Sequence, residues 1–144
     1  MSNTVVLVTG GFDPIHSGHI AYFLSAKKLG DSLIVGLNSD EWLTRKKGKP
    51  FMTWDERAAV TSALKPVDSV FAFDDSDNTA IDAIRTALKD FPDSHIVFAN
   101  GGDRGKDDIP EMVFESDRVS FSFGIGGDDK KNSSSWILKN WEQQ

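Results

Sequence analysis

The chain has 144 residues, 39% hydrophobic and 26% charged, with a formal net charge of −6, three histidines and no cysteine. Length and balance predict one globular domain, residues 1–144, with a core of its own, and the acidic balance argues against broad nucleic-acid binding, which needs a basic face. The lack of cysteine excludes a disulfide framework and fits a reducing, cytoplasmic compartment. No charged n-region and apolar h-region precede the first strand, and no apolar run nears the ~18 residues of a membrane span, so neither a signal peptide nor a transmembrane helix is expected.

Strand-like and helix-like runs alternate along the chain. Thr4–Val8 reads as a buried strand, and residues from about Gly18 to Leu29 as a helix with Ile20, Phe23, Leu24 and Lys27 on one side, closed by Gly30-Asp31. Leu33–Leu37 is a continuous apolar run of the kind found in parallel sheets. Thr53-x-x-Glu56 is a capping-box pattern that predicts a helix over about Trp54–Leu64, before Pro66. Ser69–Phe73 predicts the third strand. Ile81, Ile84, Ala87 and Leu88 mark a helix that Pro92 ends, His95–Ala99 is the fourth strand, and Val119–Phe123 a short fifth. A last helix is expected near Ser134, carrying Trp136, Ile137 and Leu138. Strand–helix–strand units with short links mean an α/β fold, a single Rossmann-like domain with a parallel sheet flanked by helices. In such sheets ligands bind beyond the carboxyl ends of the strands. Four polar segments fall there: Gly10–His19, Asn38–Lys49, Asn100–Asp108 and Gly124–Ser135.

The first of these carries the strongest chemical signal. Thr9-Gly10-Gly11-Phe12-Asp13-Pro14-Ile15-His16-Ser17-Gly18-His19 joins a strand to a helix start. Glycines let the backbone approach an anion, and a helix N-terminus offers free N–H groups and the positive end of a dipole. Two imidazoles added there can donate hydrogen bonds to a phosphate while charge builds on it. Read structurally, His19 would cap the helix and His16 would be exposed. His16-x-x-His19 is also half a zinc site, but with no cysteine and only His95 besides, no spacing supplies the other ligands.

The remaining segments are less specific. Arg45-Lys46-Lys47-Gly48-Lys49 is a cation run, expected as a loop after the second strand in an otherwise acidic chain. Arg57 is expected to hold a loop, pair with a carboxylate or line an interface. Gly101-Gly102-Asp103 follows the fourth strand, where a glycine pair admits a ligand or simply makes a turn. Lys130, Lys131, Asn132, Ser133, Ser134 and Ser135 precede an apolar run, which is both an N-cap signature and a phosphate-binding arrangement.

The Thr9–His19 stretch resembles the His-x-Gly-His signature of the nucleotidyltransferase superfamily. Its surrounding letters are similar to the cytidylyltransferase-like branch, which includes glycerol-3-phosphate cytidylyltransferases and heptose-phosphate adenylyltransferases. The resemblance implies that His16 and His19 stabilise the transition state at the α-phosphate, where charge neutralisation and in-line positioning matter most. It implies that Lys46 or Lys47 meets a phosphate, that Thr9, Gly10, Gly11, Phe12, Asp13 and Gly18 form the nucleotide loop, and that Asp103, beside Gly102, sits near the nucleotide. It further implies that Ser133, Ser134 and Ser135, with Lys130 or Lys131, bind the β- and γ-phosphates. Relatives carry an arginine before those hydroxyls, whereas this chain has Gly126-Gly127-Asp128-Asp129-Lys130-Lys131.

The function so implied is transfer of CMP from CTP to a sugar or polyol phosphate, with release of pyrophosphate and Mg²⁺ carried by the nucleotide phosphates. Two alternatives stand beside it: an ATP-dependent adenylyltransferase, to which the Gly-Gly-Asp element leans, and a nucleotide-binding module without turnover, suggested by the altered serine-rich element. A homodimer is expected by the same resemblance.

Overall fold

The computed structural model describes residues 3–101, 111 and 116–125. Its elements, in chain order, are β1 (Thr4–Gly10), α1 (Ser17–Lys27), β2 (Ser32–Leu37), α2 (Asp40–Lys47), α3 (Trp54–Ser62), β3 (Ser69–Ala72), α4 (Ile81–Asp90), β4 (His95–Gly101) and β5 (Val119–Ile125). The strands form one parallel sheet in the order β3-β2-β1-β4-β5. The expected α/β architecture is therefore present. The helix near Ser134 lies outside the described residues.

The central strand explains the pattern of its own sequence. Val5, Val6, Leu7 and Val8 are all buried because both faces of β1 are covered. Val5 and Leu7 join Ile34, Ala83, Ile84, Ala87, Ile96 and Phe98 in a cluster beneath α4. Val6 and Val8 join Phe23, Ala26, Leu33, Val35, Leu37 and Ala99 in a second cluster beneath α1, with Trp54 and Ala58 of α3 packed against it. Gly30 turns α1 into β2 where a Cβ would stand 2.7 Å from the Thr4 carbonyl oxygen. Arg118 secures the far edge by donating to the carbonyls of Leu88 in the last turn of α4 and of Phe91 and Ser94 after it.

Two expectations need correction. Leu24 does not share the buried side of α1: it is half-exposed, and the fully buried positions are Phe23 and Ala26. The Arg45–Lys49 run is not a loop, because its first three residues form the last turn of α2. Ser39 caps that helix by accepting from Trp42 N–H at 3.0 Å, Asp40 and Glu41 occupy its first turn, and Gly48 ends it at φ 96°. Acids at the start and bases at the end complement the helix dipole. A Ser-Asp-Glu opening with a Lys-Lys-Gly close is a legible helix signature, hidden here by reading the cations as a run.

The chain moves from β1 outward through β2 to β3, then crosses back to β4 and β5. The order thus reverses between β1 and β4, and the crevice at their carboxyl ends is where an open α/β sheet binds its ligand.

Candidate active site at the carboxyl ends of β1 and β4

The Gly10–His19 loop crosses that crevice and delivers both histidines to the start of α1. His16 is the N-cap: its Nδ1 accepts from Gly18 N–H at 3.0 Å. His19 closes the reciprocal bond, its Nδ1 accepting from His16 N–H at 3.2 Å. With each Nδ1 engaged as an acceptor, each neutral ring carries its proton on Nε2. The rings stack with centroids 3.8 Å apart at 26°. Two stacked imidazoles therefore stand together at the N-terminus of α1, where the positive end of the helix dipole lies. Capping and phosphate binding are not alternatives here. Each histidine caps with its Nδ1, so capping uses one nitrogen of each ring.

Burial keeps His19 neutral. His19 has its pKa pushed down to about 3, first because desolvation disfavours the imidazolium and then because of the neighbouring His16. The Phe12 ring meets His19 edge-on at 4.8 Å and Phe23 at 5.0 Å. Phe12 takes a positive φ of 51° and folds back over Gly10, where a Cβ would stand 2.8 Å from the ring. Gly10 is thus glycine because Phe12 occupies the space its side chain would need. Gly11 meets α2 in the same way, with Leu43 Cδ2 2.9 Å from the place of a Cβ.

Three further groups clamp the loop. Asp13 is 2% exposed, and its carboxylate accepts from Phe51 N–H and Met52 N–H, both at 2.6 Å. Lys47 completes its environment, with Nζ 2.9 Å from the Asp13 carboxylate and donating to the Asp13 carbonyl at 2.6 Å. Arg57 is wholly buried and donates to the carbonyls of Gly11 at 3.0 Å, Asn38 at 2.7 Å and Met52 at 3.1 Å, and to Asp40 Oδ1 at 2.7 Å. One guanidinium therefore ties together the ends of β1 and β2, the start of α2 and the turn before α3. The structural expectation for Arg57, as a loop-holding residue paired with a carboxylate, agrees with this arrangement.

The two candidate lysines separate in space. Lys47 stands against the Gly10–His19 loop, whereas Lys46 turns away, its Nζ 4.7 Å from the centroid of the Trp42 ring. Of the other sequence candidates, Thr9 and Gly10 are the last two residues of β1, and Gly18 supplies the N–H that His16 receives. Gly102, Asp103, Lys130, Lys131, Ser133, Ser134 and Ser135 lie outside the described residues.

Sequence reasoning did not include the polar run after β3. Asp75, buried there, accepts from Asn38 Nδ2 at 3.0 Å, Ser39 N–H at 2.8 Å and Ser39 Oγ at 2.7 Å, and so fixes the start of α2. Arg45 donates to the Asp75 carbonyl at 2.9 Å and to Asn78. The strand-end rule that selected the other segments selects Asp74–Asn78 too. Among the described residues no group of three or more His, Asp or Glu side chains is placed to hold a metal ion, and none of their helices is long and apolar enough to cross a membrane.

A family model described as cytidylyltransferase-like matches residues 7–135. The chain belongs to the cytidylyltransferase-like family, a family of nucleotidyltransferases. Among curated relatives of this family member, the bifunctional protein HldE of Syntrophotalea carbinolica is 35% identical over 97% of the chain and 28% of its own length. The bifunctional protein HldE of Wolinella succinogenes is 39% identical over 83% of the chain and 24% of its own length. The chain thus spans about a quarter of the length of these two relatives. Two solved structures share the fold. One is the lipopolysaccharide core biosynthesis protein of Thermoplasma volcanium, with TM-score 0.65 and 23% identity over 91% of this chain and 100% of that one. The other is a putative nicotinate-nucleotide adenylyltransferase of Vibrio parahaemolyticus, with TM-score 0.65 and 15% identity over 99% of this chain and 82% of that one.

Proposed function

We propose that this family member transfers a nucleotidyl group from a nucleoside triphosphate to a phosphorylated sugar or polyol, releasing pyrophosphate, and that the triphosphate is ATP. The observation that carries the reaction type is the stacked His16–His19 pair, held by its Nδ1 capping bonds at the start of α1 beyond the carboxyl end of β1. The donor is read from the HldE relatives, which are of the heptose-phosphate adenylyltransferase type that Gly101-Gly102-Asp103 resembles. This reverses the preference for CTP drawn from the sequence.

In this reading the acceptor phosphate attacks the α-phosphorus, an acceptor oxygen–phosphorus bond forms, and the bond to the pyrophosphate oxygen breaks. No enzyme nucleophile is needed. His16 and His19 hold the α-phosphate with their Nε2–H groups as its oxygens gain charge, and the α1 N–H groups add to that field. Neutral imidazoles suit this role because the clamped loop fixes their direction before substrate arrives. Lys47 neutralises the acceptor phosphate from its place beside Asp13. Mg²⁺ supplies charge neutralisation along the triphosphate. Asp13, the carboxylate of the loop, has both oxygens engaged, so the phosphates rather than a protein cage would carry the ion. Ser133, Ser134 and Ser135, with Lys130 or Lys131, are proposed to hold the β- and γ-phosphates.

The test is pyrophosphate release with Mg²⁺, ATP against CTP, across a panel of sugar and polyol phosphates. Release with ATP and one acceptor class supports the reading. Release with CTP alone moves the donor back to cytidine, and tight triphosphate binding without any release favours a non-catalytic module.

A further inference from the structure

Asn100 lies near the carboxyl end of β4 and is 4% exposed, yet its Nδ2 is buried with no hydrogen-bond partner among the described residues. Buried amides are almost always paired, because leaving water without a replacement bond is costly. Packing does not explain an asparagine here, since the two residues before it on the same face, Ile96 and Phe98, belong to an apolar cluster.

The face is set by its neighbours. Ala99 belongs to the cluster beneath α1, and a Cβ on Gly101 would stand 3.0 Å from the Tyr22 ring of α1. Asn100, between them, therefore faces the other way, towards the α4 side. Thr9 joins it there. The β1–β4 ladder pairs Leu7 with Phe98, and Thr9 and Asn100 each follow two residues later. The Thr9 methyl stands 3.2 Å from the place of a Cβ on Gly36, beside Phe73 of the α4-side cluster. Two buried carboxylates border the same cluster: Asp75, two residues after Phe73, and Glu111, which accepts from Ala80 N–H at 2.7 Å.

We propose that Asn100 is a specificity-determining residue for the acceptor, binding with Thr9 a hydroxyl group of its sugar or polyol on the face of the sheet opposite α1. A carboxamide is neutral and offers both a donor and an acceptor, which suits a hydroxyl. The nucleotide phosphates meet the histidines on the α1 side, the acceptor lies across the β1–β4 seam, and Asn100 reads its hydroxyl pattern. This inference rests on the proposed acceptor class.

The experiment compares the full chain with Asn100→Ala, using the best acceptor and its single-deoxy analogues. Wild type should lose roughly 10-fold or more in kcat/KM with one deoxy analogue. The variant should lose as much with the parent acceptor, no more with that analogue, and keep its KM for the triphosphate within about twofold. Equal losses with every analogue, or a raised triphosphate KM, would overturn the assignment. Acceptor affinity measured by calorimetry separates this inference from the reaction itself. If wild type releases no pyrophosphate, the enzymatic reading fails, while acceptor binding that weakens in Asn100→Ala and with one deoxy analogue still supports the subsite. Equal binding by both chains overturns it.

Discussion

Replacing His19 tests whether its imidazole is held neutral by burial. The folded-state pKa of His19, about 3, lies below its unfolded value of 6.5. The unfolded chain therefore takes up the proton first, so this contribution to stability is complete above pH 6.5 and is lost as pH falls towards 3. Each pH unit below 6.5 removes about 1.4 kcal/mol, so lowering the pH from 7.5 to 5 should destabilise the protein by about 2 kcal/mol through this one group. For a chain of this size that is a fall in Tm of about 4–8 °C. Any folded-state pKa below about 4 gives the same slope over this range. The carboxylates whose pKa values are lowered, Asp68 by its hydrogen bond from Lys27 and Asp74 by that from Ser76, start from 3.8 and so act below the window. The comparison is urea unfolding of wild type and His19→Asn at pH 7.5, 6 and 5. Asparagine can still accept from His16 N–H, so the cap is retained in part. The variant should be less stable at pH 7.5, and the gap should close by about 2 kcal/mol at pH 5. Parallel curves would refute the reasoning. Nitrogen NMR of the wild type gives a direct reading: both imidazoles should carry the proton on Nε2, and His19 should not titrate between pH 8 and 5.

Further outcomes follow from the same geometry. Arg57→Met strands the Asp40 carboxylate and three carbonyls, and should cost about 3–5 kcal/mol by urea unfolding; a loss under about 1 kcal/mol would remove its role as the tie between loops. Lys47→Met should raise the acceptor KM by about tenfold or more, while Lys46→Met, whose ammonium rests on Trp42, should change it less than about threefold; steady-state kinetics with the ranking reversed would reassign the lysine. Gly10→Ala drives a methyl into the Phe12 ring and should cost about 1–3 kcal/mol, with kcat falling more than triphosphate affinity because Phe12 supports His19. His16→Ala should lower kcat by about two orders of magnitude or more and cost about 1 kcal/mol of stability through the lost cap; a stability loss with turnover intact would leave the histidine a cap alone.

The alternation of apolar runs along the chain was enough to place all the described strands, because a strand buried on both faces needs an unbroken apolar stretch, and Val5–Val8 and Leu33–Leu37 have one. The His16/His19 loop was equally legible, since glycines, a strand and a helix start are local features, and local sequence specifies them. Side-chain contacts between distant segments were not legible. Nothing in the letters says that Lys47 rather than Lys46 reaches the loop, that Asp75 fixes the start of α2, or that Arg57 gathers carbonyls from three segments. Those depend on where helix phase and strand register bring residues tens of positions apart. Asn100 shows the same division. Its position after an apolar run could be read from the sequence, but that its Nδ2 lies buried without a partner among the described residues is decided by Ala99 and Gly101 turning to the α1 side and by the packing of the opposite face.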